Sequence, residues 1–168
     1  MLLSAQAAQV AQATRTGGIS TMHQAPMPPW RNEEEKEEYA LDPKAFLLGR
    51  CALWINNTHY LFNWVVCAVY YLPAFEILPN GQKWYRADIE ADNALWEGKV
   101  GLVIGKGPQA FKDDPDIHLK FDGQNVSIGD WVQWDIHEGR LFTANRILCR
   151  RFKDVQMFSK VDDPRLVY

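Results

Sequence analysis

The fold is decided by the segment GKVGLVIGKGP at residues 98–108 and by VSIGDWVQW at residues 126–134. Each is a short run of strand-forming residues bounded by glycine, and neither leaves room for a helix. After a turn at Glu138-Gly139, further short strand patterns occupy residues 141–144, 146–151 and 154–158. Many short strands with glycine-bearing turns predict an all-β barrel or sandwich, without helical periodicity beyond the N-terminus.

The strand pattern extends upstream of these segments. The apolar run at residues 60–72 ends at Pro73, so it is too short to cross a bilayer and predicts one or two buried strands. A dense apolar patch at residues 46–55 precedes a turn signal at residues 56–58. Farther along, Asn80-Gly81 is the strongest short signal for a β-hairpin.

A tight turn is predicted at Gly129-Asp130, because glycine readily adopts a positive φ angle. In the strand that follows, side chains alternate between the two faces, so Val132 and Trp134 share the core side. Trp131 faces the other side. We interpret Trp131 as an aromatic core residue. The alternative is that it forms a contact at the rim or with another subunit.

The two quoted segments, in this order, resemble the GroES (chaperonin-10) family, where "G-K-V-x-x-V-G-x-G" precedes "V-x-x-G-D-x-V-x-F". The resemblance covers residues from about 60 to about 162, with Asp154-Val155 in the place of a family Asp-Ile pair. Residues 99–114 are similar to the phage-type subgroup. The resemblance implies a GroES-like small β-barrel that forms homo-oligomers, binds other proteins and carries out no bond chemistry.

The same resemblance suggests where a partner is bound. GroES-like proteins carry a short aliphatic triplet on a mobile loop that docks on a chaperonin ring, and residues 73–96 occupy that place. The nearest matches to the triplet are Ile77-Leu78 and, less well, Trp84-Tyr85. The tryptophan content of the chain adds two further candidate partner-binding residues, Trp30 and Trp131.

An N-terminal arm at residues 1–44 has no counterpart in the family and precedes a predicted barrel domain at residues 45–168. We expect the arm to be extended or partly helical. Residues 2–13 are rich in alanine and glutamine, which favour a short helix. The glycines and prolines of residues 17–29 predict an irregular, extended chain.

Charge is concentrated in two places. The acidic run at residues 33–38 predicts a solvated helical turn with Asn32 as its N-cap, and a docking tail for a basic partner is the alternative. A basic cluster near the C-terminus predicts a solvated barrel exterior, with an acidic subunit contact as the alternative. Its members are Arg140, Arg146, Arg150, Arg151 and Lys153.

Composition argues against several classes of function. The net charge of −3 disfavours a nucleic-acid binder. The three cysteines contain no CxxC pair, so we expect reduced, buried thiols and no metal site. Asp116 with His118 fits a solvated loop better than a ligand pair. Without a nucleophile–base or metal constellation, the sequence predicts neither an enzyme nor a cofactor.

Two hypotheses follow from these observations. In the first, the chain is a non-enzymatic protein-binding subunit of a larger assembly, namely a phage virion or capsid-associated structural protein. In the second, it is a phage co-chaperonin that caps a chaperonin ring through residues 73–96. Both place the chain in the virion or the host cytoplasm, with other protein chains as partners and without nucleic acid or membrane.

Overall fold

The computed structural model describes residues 27–73, 75–86, 98–113 and 120–168, so the predicted helix at residues 2–13 lies outside the described residues. The helices are α1 (Glu33–Leu41) and α2 (Pro43–Asn57). The strands are β1 (Trp64–Val69), β2 (Phe75–Ile77), β3 (Lys83–Tyr85), β4 (Val100–Lys106), β5 (Trp131–Trp134), β6 (Arg140–Ala144), β7 (Ile147–Lys153) and β8 (Met157–Val161). Short 3₁₀ helices lie at Asp154–Gln156 and Pro164–Val167.

Six strands form one antiparallel sheet in the order β6-β7-β1-β4-β5-β8, and β2 pairs with β3 in a small second sheet. The prediction of a mainly β protein is therefore confirmed. A closed barrel is not found, because β6 and β8 each pair on one side only and do not pair with each other. The described strands form an open sheet with two edges.

Both faces of the central strands of the large sheet are buried. In β1, Val66 and Ala68 pack on the side covered by the helices, whereas Val65 and Cys67 pack on the opposite side with Trp134. A strand that is buried on both faces has a nearly continuous apolar sequence, which explains why the run at residues 60–72 shows no alternation.

The glycines of β4 make room for aromatic rings. A Cβ atom at Gly101 would lie 2.6 Å from Cη2 of Trp134, and a Cβ atom at Gly105 would overlap the ring of Tyr60. Both approaches are closer than van der Waals contact allows. The glycines of the segment at residues 98–108 therefore permit close packing as well as turning the chain.

Helix α2 contradicts the prediction that the chain is free of helix beyond the arm. Its buried Leu47 and Cys51 and half-buried Trp54 recur at helical spacing, and this stripe packs on the sheet. In the sequence the surrounding patch at residues 46–55 is so densely apolar that its period is obscured. The helix also runs through residues 44 and 45, where the boundary of the arm was predicted.

The start of α2 is marked by a capping signal that the sequence analysis did not use. The Asp42 carboxylate accepts a hydrogen bond of 2.9 Å from the backbone N–H of Ala45, and Pro43 occupies the first turn. Proline is well tolerated there because its missing N–H has no partner within a helix. Asp42-Pro43 before an apolar patch is therefore the signal for this helix.

Helix α1 confirms the interpretation of the acidic run as a capped, solvated helix. The Asn32 side chain accepts a hydrogen bond of 2.9 Å from the N–H of Glu35. Tyr39 is the buried residue of the helix, and its hydroxyl donates to the backbone oxygen of Tyr71 and accepts from the N–H of Tyr71. This pair of bonds ties α1 to the chain just after β1.

Two of the predicted turns are found where the sequence placed them, whereas residues 56 and 57 of the turn predicted at 56–58 belong to α2. Asn80-Gly81 lies between β2 and β3, with Gly81 at φ 80°, and Gly129 has φ 91° before β5. A further turn joins β6 to β7 through Asn145 and Arg146, at φ 47° and 68°. Two consecutive residues with positive φ are the signature of a tight two-residue hairpin.

Candidate protein-binding surfaces

The hairpin of β2 and β3 carries four of the predicted partner-binding residues. We call Ile77, Leu78, Trp84 and Tyr85 the hairpin surface. Leu78, Trp84 and Tyr85 are 38%, 52% and 67% exposed, and Ile77 is half-buried. The structure thus places these four residues on one short hairpin and leaves three of them open to solvent. Ile77 and Tyr85 lie on the side of Phe75, and Trp84 lies on the opposite side, so the hairpin surface wraps around both faces of the small sheet.

The hairpin is held against α1 by its inner residues. Phe75 is buried, and the Lys83 ammonium lies 4.9 Å from the centroid of its ring. Lys83 also forms an ion pair with Glu37 of α1, and the hydrogen bond from this pair raises the pKa of Lys83. Within the hairpin, Arg86 pairs with Glu76. The hairpin surface is therefore presented from a defined base.

The two other predicted partner-binding residues lie elsewhere. Trp131 is only 6% exposed and meets Tyr70 edge to face, with 5.4 Å between ring centroids. This burial agrees with the interpretation of Trp131 as a core residue. Trp30 is half-buried against Tyr39, with 5.2 Å between ring centroids. Both tryptophans pack within the chain and neither belongs to the hairpin surface.

A second surface is a groove of about 520 Å³ that the sequence analysis did not predict. It lies between the end of α2, the loop before β1 and the strands β1, β6 and β7. We call it the aromatic groove. Its lining residues are Trp54, His59, Tyr60, Leu61, Phe62, Trp64, Val66, Leu141, Phe142 and Arg151. Leu61, Phe62 and Leu141 are 64%, 60% and 54% exposed, which is unusual for three large apolar side chains at one place.

Internal contacts fix the walls of the aromatic groove. The Trp54 ring N–H donates to the Tyr60 hydroxyl, and the ring of Trp54 lies 5.7 Å from that of Phe142. Phe62 has φ 54°, and its backbone oxygen accepts a hydrogen bond of 3.1 Å from Gln109. A positive φ at an aromatic residue is strained and persists only where neighbouring contacts hold it. The groove is therefore formed before any partner arrives.

The predicted basic cluster divides into buried and exposed members. Arg150 is buried and donates hydrogen bonds to the backbone oxygens of Ile136 and Glu138, so the expectation of a solvated exterior is wrong for this residue. Arg140 and Arg151 are exposed and directly opposite each other on β6 and β7. Side chains of directly opposite residues share one face of a sheet, so two like charges stand together at the aromatic groove.

The described residues offer little chemistry beyond these surfaces. Cys51, Cys67 and Cys149 are fully buried, and burial raises the pKa of the Cys67 thiol. Within the described ranges, no group of three or more metal-ligating side chains is found. His118 and Asp116, which the sequence predicts to lie in a solvated loop, are outside the described residues. No helix among the described residues has both the length and the apolar character to span a membrane.

Comparison with known proteins gives no further guide. No protein-family model matches the chain, and no curated protein sequence is significantly similar to it. The two surfaces themselves are therefore the guide to function.

Proposed function

We propose that this chain is a non-enzymatic protein-binding subunit of a larger assembly, which contacts a neighbouring subunit through the hairpin surface. The observation that carries the proposal is the exposure of Leu78, Trp84 and Tyr85 on one hairpin. Tryptophan and tyrosine are enriched among the residues that dominate binding energy at interfaces. Burying such side chains against a neighbour removes apolar surface from water, at about 25 cal/mol per Å².

The hairpin surface does little for the stability of the chain itself. β2 and β3 have three residues each, and a two-stranded sheet of this size is marginal on its own. Its attachment relies on Phe75, on the surface ion pair between Lys83 and Glu37, and on a longer contact of 3.8 Å between Glu76 and Arg165. A small sheet that buries Phe75 and leaves Trp84 and Tyr85 open to solvent, on a base provided by α1, suits a contact with another chain.

Within this proposal, the assembly is a phage virion or capsid. Support comes from the resemblance of residues 99–114 to phage-type GroES-like proteins. The mainly β architecture, with β1 and β4 adjacent in the sheet, is compatible with such a fold. Recovery of the chain only from lysates of infected cells and never from mature particles would overturn this assignment.

One observation favours a second candidate, the phage co-chaperonin. The hairpin lies in the chain segment between β1 and β4, where the resemblance places the ring-docking loop, and Ile77-Leu78 lies at the turn end of β2. On this hypothesis the chain forms seven-fold rings and binds a chaperonin ring only with ATP. Replacing Ile77 and Leu78 by serine then abolishes ring binding, and unchanged binding by that variant counts strongly against the hypothesis.

Native mass spectrometry of the purified chain tests the proposal directly. The unmodified chain is expected to form a homo-oligomer, whereas the double variant Trp84→Ser/Tyr85→Ser is expected to lose at least about 2 kcal/mol of association free energy, roughly a 30-fold weaker apparent Kd. Leu53→Ser removes another exposed apolar side chain, on α2, and serves as the matched control. Equal oligomer populations for all three proteins contradict the proposal.

A further inference from the structure

Strand β6 leaves one of its two edges without a partner. It is the terminal strand of the large sheet and pairs only with β7. In a two-residue hairpin the pair next to the turn, here Ala144 and Ile147, exchanges both backbone hydrogen bonds, and the bonding direction alternates along the strand. Leu141 and Thr143 therefore direct their N–H and C=O groups outward, away from β7.

Edge strands are usually protected, since an open row of backbone donors and acceptors invites another strand to pair. The described part of this chain shows little such protection at β6. The strand contains neither proline nor a bulge against β7, and Leu141 and Thr143 are both exposed. Arg140 at the first position is its charged residue. An added strand therefore finds unoccupied backbone groups along most of the edge.

The aromatic groove lies beside this edge, with Phe142 of β6 in its wall. An added strand would alternate its side chains between the two faces of the sheet, so every second side chain would lie on the groove side. The exposed Leu61 and Phe62 offer apolar contacts to such side chains. The lining of the groove therefore favours apolar side chains on the groove side of an added strand.

Arg140 and Arg151 favour a negatively charged side chain on an added strand. These guanidinium groups are opposite each other on neighbouring strands, and neither has a carboxylate partner among the described residues. Nearby, Lys153 is already engaged, with its ammonium 2.9 Å from the Asn63 side-chain oxygen and 4.3 Å from the centroid of the Trp64 ring. A carboxylate between the two arginines would relieve their repulsion and accept hydrogen bonds from both.

We propose that β6 and the aromatic groove bind an extended segment of a partner protein in which every second side chain faces the groove. These groove-facing side chains are apolar, except for one acidic side chain at the end beside Arg140 and Arg151, which lie on the same face of the sheet as Val66 and Phe142. The segment pairs with Leu141 and Thr143 as a seventh strand, places apolar side chains in the groove and brings a carboxylate to Arg140 and Arg151. This inference rests on the proposed protein-binding function, but it concerns a surface separate from the hairpin.

A protein strand fits this site better than the two other occupants that the groove suggests. Single-stranded nucleic acid also stacks on aromatic rings, but it cannot pair with the outward N–H and C=O groups of a β-edge, and the chain has a net charge of −3. The acidic segment of a second copy of this chain, at Glu33–Leu41, is helical and cannot add as a strand.

The probe for this proposal is a short fluorescently labelled peptide in which valine, phenylalanine and one terminal glutamate occupy every second position and threonine occupies the positions between them, so that the glutamate shares a face with the apolar side chains. The control peptide has lysine in place of glutamate. With the full chain, fluorescence anisotropy is expected to show saturable binding of the glutamate peptide and at least tenfold weaker binding of the lysine peptide. Absence of saturable binding by the glutamate peptide, or equal binding of the two peptides, overturns the proposal.

Variants of the chain separate the contributions of charge and backbone. Arg140→Gln/Arg151→Gln is expected to weaken binding of the glutamate peptide at least tenfold, whereas Lys112→Gln, at an exposed lysine elsewhere, leaves it unchanged. Thr143→Pro removes one outward N–H from an edge strand, where proline is tolerated, and is expected to abolish binding. Circular dichroism melting of each variant verifies that the fold is retained, and unchanged binding by both groove variants overturns the proposal.

Two further measurements distinguish this inference from its alternatives and from the proposed function. Displacement of the peptide by a thymidine oligonucleotide, with oligonucleotide binding lost in Arg140→Gln/Arg151→Gln, would identify a nucleic-acid site and overturn the inference. The Trp84→Ser/Tyr85→Ser chain is expected to bind the peptide with unchanged affinity, so failure of assembly through the hairpin leaves the groove result intact. Loss of peptide binding in that chain contradicts the separation of the two surfaces.

Discussion

The hairpin surface and the aromatic groove both expose large apolar side chains, but different interactions hold them in place. The hairpin has two three-residue strands and a surface ion pair, Lys83 with Glu37. The groove is built on the large sheet, and a buried carboxylate fixes the chain beside it: Asp154 accepts hydrogen bonds from the Asn63 side chain and the N–H of Phe111. The hairpin surface is therefore adaptable, whereas the aromatic groove on the same chain is preformed.

The largest expected effect is the difference in stability loss between replacing a tryptophan of the core and replacing one on the hairpin. Trp134 is buried, lies 4.5 Å from Phe152 between ring centroids and donates a hydrogen bond of 2.8 Å to the Gly98 oxygen. Trp134→Ala is expected to lower the free energy of unfolding by about 3–5 kcal/mol. Trp84→Ala, on the hairpin surface, is expected to change it by less than about 0.5 kcal/mol.

Urea unfolding followed by far-ultraviolet circular dichroism measures both tryptophan variants. Similar losses for the two would mean that the hairpin is as much a part of the folded core as β5. That result would remove the distinction between an adaptable and a preformed surface.

A smaller effect is expected from adding one methyl group beneath the groove wall. Gly105→Ala places a Cβ atom within the ring of Tyr60, which must move, so the variant should lose about 1–3 kcal/mol of unfolding free energy. Gly49→Ala is the matched control, because a Cβ atom there meets open space on the surface of α2. In a helix interior this change is expected to stabilise by about 0.5–1 kcal/mol.

The same urea titration decides between the outcomes for the two glycine variants. Unchanged stability of Gly105→Ala would show that the groove wall yields easily. The description of the groove as preformed would then be wrong.

The smallest expected effect is local to the base of the hairpin. Glu37→Gln removes the partner whose hydrogen bond raises the pKa of Lys83, so this pKa should fall toward the ordinary lysine value of 10.5. Because the raised pKa belongs to the folded state, the ion pair contributes at pH below the ordinary value and is lost as pH rises through the folded-state pKa. Carbon-13 NMR of the Lys83 side chain follows this titration.

Glu38→Gln is the control for that titration, since Glu38 is an exposed neighbour on the same helix. It should leave the Lys83 titration unchanged. An identical Lys83 titration in the Glu37→Gln variant and the unmodified chain would show that α1 does not hold the hairpin through this pair.

Much of the strand framework could be predicted because local patterns determine it. The glycine-bounded segments became β4 and β5, Asn80-Gly81 became a hairpin turn, and Asn32 became an N-cap, each through chemistry confined to a few residues. Helix α2 was missed because a dense apolar patch at residues 46–55 conceals its period, although Asp42-Pro43 marks its start.

The open sheet and the aromatic groove could not be predicted, because both depend on contacts distant in sequence. Alternation within β6 and β8 does not specify whether these strands pair with each other. The groove brings Trp54 together with Phe142, and the facing of Arg140 and Arg151 follows from the register of β6 on β7. The hairpin surface was predicted through a family resemblance, and its exposure became known only from the structure.

Hydroxyl-radical footprinting of the chain, from dilute to assembled concentrations, tests the central claim most directly. If the hairpin surface contacts a neighbouring subunit, oxidation of Trp84 and Tyr85 should fall as oligomers form, while oxidation of the exposed Leu53 on α2 stays constant. Unchanged oxidation of Trp84 and Tyr85 at every concentration, or protection of Leu53 alone, would contradict the account.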